Sequence, residues 1–354
     1  MSIPIDELSV DASDLINAVA RIFVACGLLE QDAVMASTDL VAADLDDVAS
    51  HGVMLVPMYV KRLRAGSVSP RSSGEIVVDN GAAVVIDAHH ALGQLVARQA
   101  VGLAVARAKT FGAGIVAVRN GFHFGTAGRY ARLMAAEGCI GLVTSNTRPL
   151  MPAPGGAEPL TGNNPLAVAV PSQGEFLPEV DMALSASAMG KIRIAAAQKR
   201  DIPVGWAADK DGVATTDAEQ AISGMLLPAA GPKGFGLAFM LDLLAGGLAS
   251  GAIGPEVRPL YGDPSQHYLS SQLFVAIHTG HFLAEQTFAL RTKEETDRVT
   301  QSKRSPGVER VFAPGEMAHT ARLRNGNQIK LPASTLSGLQ EAAGITGVEL
   351  PELQ

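Results

Sequence analysis

Apolar residues recur every three to four positions in residues 14–26, 32–44 and 54–65, a period that predicts three early helices. Gly27 and Gly66 stand just past two of them, where helix ends favour a left-handed residue. The period then shortens to two. Residues 75–79 and 83–87 flank Asn80-Gly81, a dipeptide suited to positive φ in a tight hairpin turn. Helix 91–111, strand 114–119, helix 126–137 and strand 139–145 alternate after it, the pattern of α/β layering. Beyond a Pro/Gly-rich loop, 148–160, the runs 165–171 and 176–184 are short and apolar enough for buried strands. A helix over 186–199 follows, then residues 201–217 read as turns. Gly231-Pro-Lys-Gly-Phe-Gly236 leads into the most apolar helix, 234–250. It carries Asp242 and falls short of the roughly 20 residues of a membrane span, so it reads as a buried core helix. Strand 273–277 and polar helix 283–300 come next, and periodicity weakens from Arg304 onward.

Composition narrows the partners. A chain of 354 residues, 47% hydrophobic and 18% charged, buries a large core as two domains or one large α/β unit. Only 5% is aromatic, and the net charge of -7 is spread along the chain without a basic patch. Both argue against nucleic acid and against an anionic membrane surface, leaving a small-molecule ligand. Cys26 and Cys139 are too few for a disulfide framework and fit a reducing compartment. The stretch MSIPIDELSVDASD lacks the basic region and apolar run of a secretory signal, so a cytoplasmic location is expected.

Generic motifs say little. Gly112-Ala-Gly114-Ile-Val-Ala117 follows a helix and enters a strand, so its amides point the wrong way for a dinucleotide fingerprint. Gly234-Phe-Gly236 lacks a third glycine and a clear preceding strand. No metal is expected, because the histidines cluster only as His89-His90 and His278/His281, which read as surface or loop pairs. Two other histidines have suggestive settings. His51, in Ser50-His-Gly52, lies in a loop between helices, where Ser50 can fix its tautomer. His123, in Gly121-Phe-His-Phe-Gly125, follows a strand and precedes a helix with free N–H groups. Each alone reads equally as a hydrogen-bonded structural histidine.

Together these pieces resemble the malate/L-lactate dehydrogenase-like family, which includes ureidoglycolate dehydrogenases, diketogulonate reductases, sulfolactate dehydrogenases and cyclic-imine reductases. The matching stretches are Ser50-His-Gly-Val53, His123-Phe-Gly-Thr-Ala127, Asn164-Pro-Leu-Ala167, Asp181-Met-Ala183, Gly190-Lys-Ile192, Ile202-Pro-Val-Gly-Trp206, Thr215-Thr-Asp217, Leu227-Pro228, Lys233-Gly234 and Pro314-Gly-Glu316, in the family's order. The resemblance implies an α/β, non-Rossmann NAD(P)-binding fold with a mixed central sheet and an active site at a homodimer interface. It implies a helical substrate and dimerisation domain from both chain ends, residues 1–74 with 292–354, around a cofactor domain at 75–291. The activity implied is NAD- or NADP-dependent hydride transfer between nicotinamide and a small 2-hydroxy acid or 2-oxo acid. His51 with Ser50 as relay, or His123, is the implied acid/base. Implied cofactor contacts are His123, Phe124, Gly125, Thr126, Ala127, Thr147, Asp181, Met182, Ala183, Gly231, Pro232, Lys233, Gly315 and Glu316.

Departures bear on the substrate. The family's Asp-Leu-Arg-Gly reads on as Asp46 and Asp47 here, and Leu55 replaces an arginine that clamps a carboxylate. Either the carboxylate is held elsewhere, with Arg148 and Asn163 as candidates, or the substrate lacks one there. Asn163 replaces a threonine, His278-Thr279 an Asp-Pro, and Lys191 the aspartate of cyclic-imine reductases. The alternatives are a cyclic-imine or sugar-acid reductase on the same scaffold, and a dinucleotide binder without turnover.

Overall fold

The computed structural model describes residues 8–350. The chain opens with β1 (Leu8–Asp11), α1 (Ala12–Ala25), α2 (Glu30–Leu45) and α3 (Val56–Ala65). Asp11 caps α1 by accepting the Ser13 N–H at 2.8 Å, satisfying one of the free donors of a first turn. Then come β2 (Glu75–Asn80), β3 (Ala83–Asp87), α4 (Gly93–Phe111), β4 (Ala113–Gly121), α5 (Ala127–Ala136) and β5 (Cys139–Ser145). The second half adds β6 (Met151–Pro152), β7 (Pro159–Thr161), β8 (Leu166–Ala169), β9 (Glu179–Met182) and α6 (Met189–Ala197). After them run β10 (Ala207–Ala208), β11 (Ala214–Thr215), α7 (Ala218–Ser223), β12 (Met225–Leu226) and α8 (Pro232–Asp242). The chain continues with β13 (Ser270–His278), α9 (Glu285–Thr300), α10 (Glu316–Asn325), β14 (Gln328–Leu331) and α11 (Ala333–Thr346).

Seven strands form the main sheet in the order β2-β3-β4-β13-β5-β8-β9. Only β3 and β4 run parallel, joined by α4 as a crossover helix; the other neighbours are antiparallel, so the sheet is mixed. Val84, Ile86, Val116, Val118, Val143 and Phe274 from the strands share one apolar layer with α4 and α5. That layer is close-packed because glycines face the helices. A Cβ on Gly141 would meet the Ala131 carbonyl at 2.6 Å, and one on Gly114 would fall onto that of Ala104.

A second core joins α1, α2 and α3 to Ile329, Leu331, Leu339 and Ala342 from the far end of the chain. β1 pairs antiparallel with β14, from Leu8 opposite Leu331 to Asp11 opposite Gln328. Phe122, Val257 and Tyr268 also belong to this core, so the sheet and the helical layer meet beside residue 123.

Two expectations need correction. Residues 201–217 are more than turns: β10 is the centre of a three-stranded sheet with β11 and β12. Two-residue strands carry no readable period. The weakly periodic tail contains α10, β14 and α11; in α10 only Glu316 and Ala321 are buried, too few to mark a face. Helix 234–250 is not a buried core helix. α8 ends at Asp242 and gives way to a π-helical turn, Leu243–Gly247. Ala238, Leu241 and Ala245 are buried, whereas Phe239, Met240, Leu244 and Leu248 are exposed. A segment apolar all round gives no sign of which side is covered.

Candidate active site

His51 ends a single 3-10 turn, Ala49–His51, between α2 and a second such turn, Val53–Leu55, that leads into α3. His123 lies just past β4 and ahead of α5. Seventy-two positions apart in sequence, the two rings come together at 5.5 Å between centroids, 29° from parallel. Both are half-buried. Ser50 Oγ shares a hydrogen bond with His51 Nδ1 at 3.0 Å, which leaves Nε2 for another partner. Tyr59 Oη shares one with His123 Nδ1 at 2.7 Å and accepts from Gln94 Nε2 at 3.0 Å. Burial lowers the His51 pKa below its usual 6.5. Burial first, and the neighbouring His51 second, push that of His123 down to about 3. At neutral pH His123 is therefore an uncharged imidazole.

A cavity of about 670 Å³ opens beside the pair, lined by His51, Gly125, Thr126, Ala127, Asp181, Ala183, Phe312 and Gly315. Thr126 begins α5 without a side-chain cap. Asp181 Oδ2 accepts the Gly128 N–H at 2.8 Å, leaving the earlier amides of that turn free for an anionic or polar ligand. Gly125 is in the left-handed region at φ +88° with open space where a Cβ would stand. One wall is an ion cluster: Arg132 reaches Glu179 and Asp46, each at 2.6 Å, and Arg322 reaches Asp46 at 2.9 Å. Burial opposes the Arg132 charge, but Glu179 and Asp46 hold it above the usual arginine range.

The other expected residues divide. The Phe124 side chain is buried and stacks on Tyr130 at 5.3 Å, so only its backbone is available to a ligand. Thr147 donates to Asn163 Oδ1 at 3.1 Å, and Arg148 beside it is exposed. Met182 is 43% exposed and lies outside the cavity lining. Gly231 and Pro232 line a second cavity of about 440 Å³ with residues 152–157, and Lys233 is exposed in the first turn of α8. Glu316, the first residue of α10, is buried, its carboxylate accepting the Ala313 N–H at 2.9 Å and pairing with Arg310. Tyr59, Gln94 and Arg132 were not legible as site residues. Tyr59 falls on the apolar face of α3, where an aromatic reads as core.

The model of the malate/L-lactate dehydrogenase family matches residues 10–340. The chain belongs to that family. Among its relatives is the L-sulfolactate dehydrogenase of Methanocaldococcus jannaschii, 34% identical over 326 residues, 92% of this chain and 94% of that one. The solved structure of the sulfolactate dehydrogenase from that organism superposes with a TM-score of 0.92 at 32% identity, covering 97% of this chain and 98% of the other. The malate dehydrogenase of Pyrococcus abyssi is 33% identical over 350 residues, 95% of each chain. The structure of delta1-piperideine-2-carboxylate reductase from Pseudomonas syringae pvar. tomato gives a TM-score of 0.84 at 30% identity, covering 95% and 99%. As a member of this dehydrogenase family the chain is an NAD(P)-dependent oxidoreductase, with NAD or NADP as cofactor. Leu55, the departure from the family's arginine, is 2% exposed and packs in the core with Tyr59, Phe122 and Tyr268.

Proposed function

We propose that this enzyme interconverts a small 2-hydroxy acid and its 2-oxo acid, with His51 as the proton donor and acceptor. The observation that carries the reading is the meeting of His123 with His51, which lines the 670 Å³ cavity. The cavity's polar lining suits a nicotinamide dinucleotide: uncapped amide donors at the start of α5, the open Gly125, and the Asp181 carboxylate as an acceptor. We assign its contacts to residues 123–127, Thr147, Asp181, Ala183 and Gly315, with residues 231–233 at the second cavity for phosphate.

A bound nicotinamide dinucleotide supplies the hydride that adds to the carbonyl carbon. His51 Nε2 gives its proton to the carbonyl oxygen as that oxygen gains charge, and takes the hydroxyl proton in the reverse direction. Ser50, at Nδ1, fixes the ring's orientation. His123, uncharged and held at Nδ1 by Tyr59, offers its Nε2 to the same oxygen. Arg148 is exposed and without a carboxylate partner among the described residues, which favours it as the clamp for the substrate carboxylate, with Asn163 beside it.

We further propose a cytoplasmic homodimer, with helical parts from both chain ends around the cofactor sheet. The uncovered apolar face of α8 supports the dimer, and two free cysteines fit the location. The decisive assay offers malate, sulfolactate, ureidoglycolate and a cyclic imine in turn, with either dinucleotide, and reads absorbance at 340 nm. Turnover of a hydroxy acid is expected. Dinucleotide binding without turnover of any compound would refute the enzymatic reading, and turnover of the imine alone would move the substrate class.

A further inference from the structure

Asp44 stands in the last turn of α2 and is only 9% exposed. Its Oδ2 accepts the backbone N–H of Val53 at 2.9 Å. Gly52, the residue between His51 and Val53, presses its Cα on the same carboxyl: a Cβ built there would fall inside the Asp44 side chain. Gly52 is extended, at φ −93° and ψ −154°, and is the joint between the two 3-10 turns. One carboxyl therefore grips both residues that follow the proton donor. The position is a poor one for a charge, since carbonyl dipoles converge at a helix C-terminus. Burial pushes the carboxyl up to about 7, against the Val53 bond. An apolar side chain of that size would fill the space without this penalty, but would offer Val53 no acceptor.

We propose that Asp44 is a positioning residue for the reaction: it locks Gly52 and Val53 so that the His51 imidazole stays against His123. The proposal rests on the assignment of His51 as proton donor. Three acidic residues on α2 and just past it are paired with arginines. Asp39 pairs with Arg98 and Arg129, Asp46 with Arg132 and Arg322, and Asp47 with Arg324. Among the described residues the Asp44 carboxyl thus meets the loop backbone and no cation.

The test uses the full chain without ligand, its histidines labelled with ¹⁵N and titrated by NMR, with His51→Gln identifying the signal. In the wild type, His51 titrates below 6.5. Asp44→Ala and Gly52→Ala each free the loop, and the His51 titration returns toward 6.5. Asp44→Asn, which keeps the shape and an acceptor for Val53, restores the wild-type titration. In turnover of whichever hydroxy acid is accepted, the first two variants lose on the order of a hundredfold in kcat, with the dinucleotide KM held. A folded Asp44→Ala protein whose His51 titrates as in the wild type overturns the proposal. So does loss of the fold in both Asp44→Ala and Gly52→Ala, since Asp44 would then support the domain rather than the ring. The titration needs neither cofactor nor substrate, so it fails separately from the functional reading, which instead falls if His51→Gln retains full turnover.

Discussion

A proton donor is useful only while it holds a proton, and His51, the donor proposed above, is held by burial below the usual histidine range. Reduction needs the imidazolium, so its rate should decline as pH rises through a value below 6.5. Oxidation needs the neutral ring and should persist above that point; kcat profiles in the two directions would show opposite limbs. His51→Gln should lower kcat by about 10²- to 10⁴-fold in both directions. Asp44 gives a second pH signature. Its carboxyl is raised from 3.8 to about 7 in the folded chain. The stability it contributes is present below 3.8 and is lost as pH rises through 7. Asp44→Asn should therefore resist urea better than the wild type at pH 8, with no such gain at pH 3. His51 and His123 stood out as candidates through loop context taken together with the family resemblance, since each alone reads equally as a structural histidine. Asp44 and Tyr59 did not: the aspartate reads as a solvated helix position, and the tyrosine as packing.

At the scale of elements, the strand and helix alternation between residues 75 and 145 declared itself, because each element is long enough to show its period. Pairing order was less visible, since β13 inserts between β4 and β5 from more than a hundred residues away. The contact of α4 with β4 depends on Gly114, whose missing side chain lets the helix backbone rest on the strand. Gly114→Ala drives a methyl into the Ala104 carbonyl and should destabilise the fold by about 1–3 kcal/mol. Urea midpoints would measure it, with Gly102→Ala, where a Cβ meets open space on the same helix, as the control.

For the whole molecule, the surface of α8 and the turn after it has an unmet need for cover. Phe239 is 48% exposed, Met240 51% and Leu248 57%, a run that water alone rarely faces. Replacing Met240 and Leu248 by aspartate should convert the proposed dimer into monomers, read by light scattering on a sizing column; an unchanged mass would place the interface elsewhere. Sequence composition had put this segment inside the protein, and only tertiary packing decided that one side remains uncovered.

The pairing of β1 with β14 also orders events in time. During synthesis the main sheet has all of its strands once residue 278 has emerged, whereas the layer carrying His51 still lacks Ile329, Leu331 and the last helix. The helical layer around the His51 loop thus draws part of its core from residues far along the chain, Ile329, Leu331 and α11. A growing polypeptide therefore holds every strand of the main sheet before it can close the helical layer beside it.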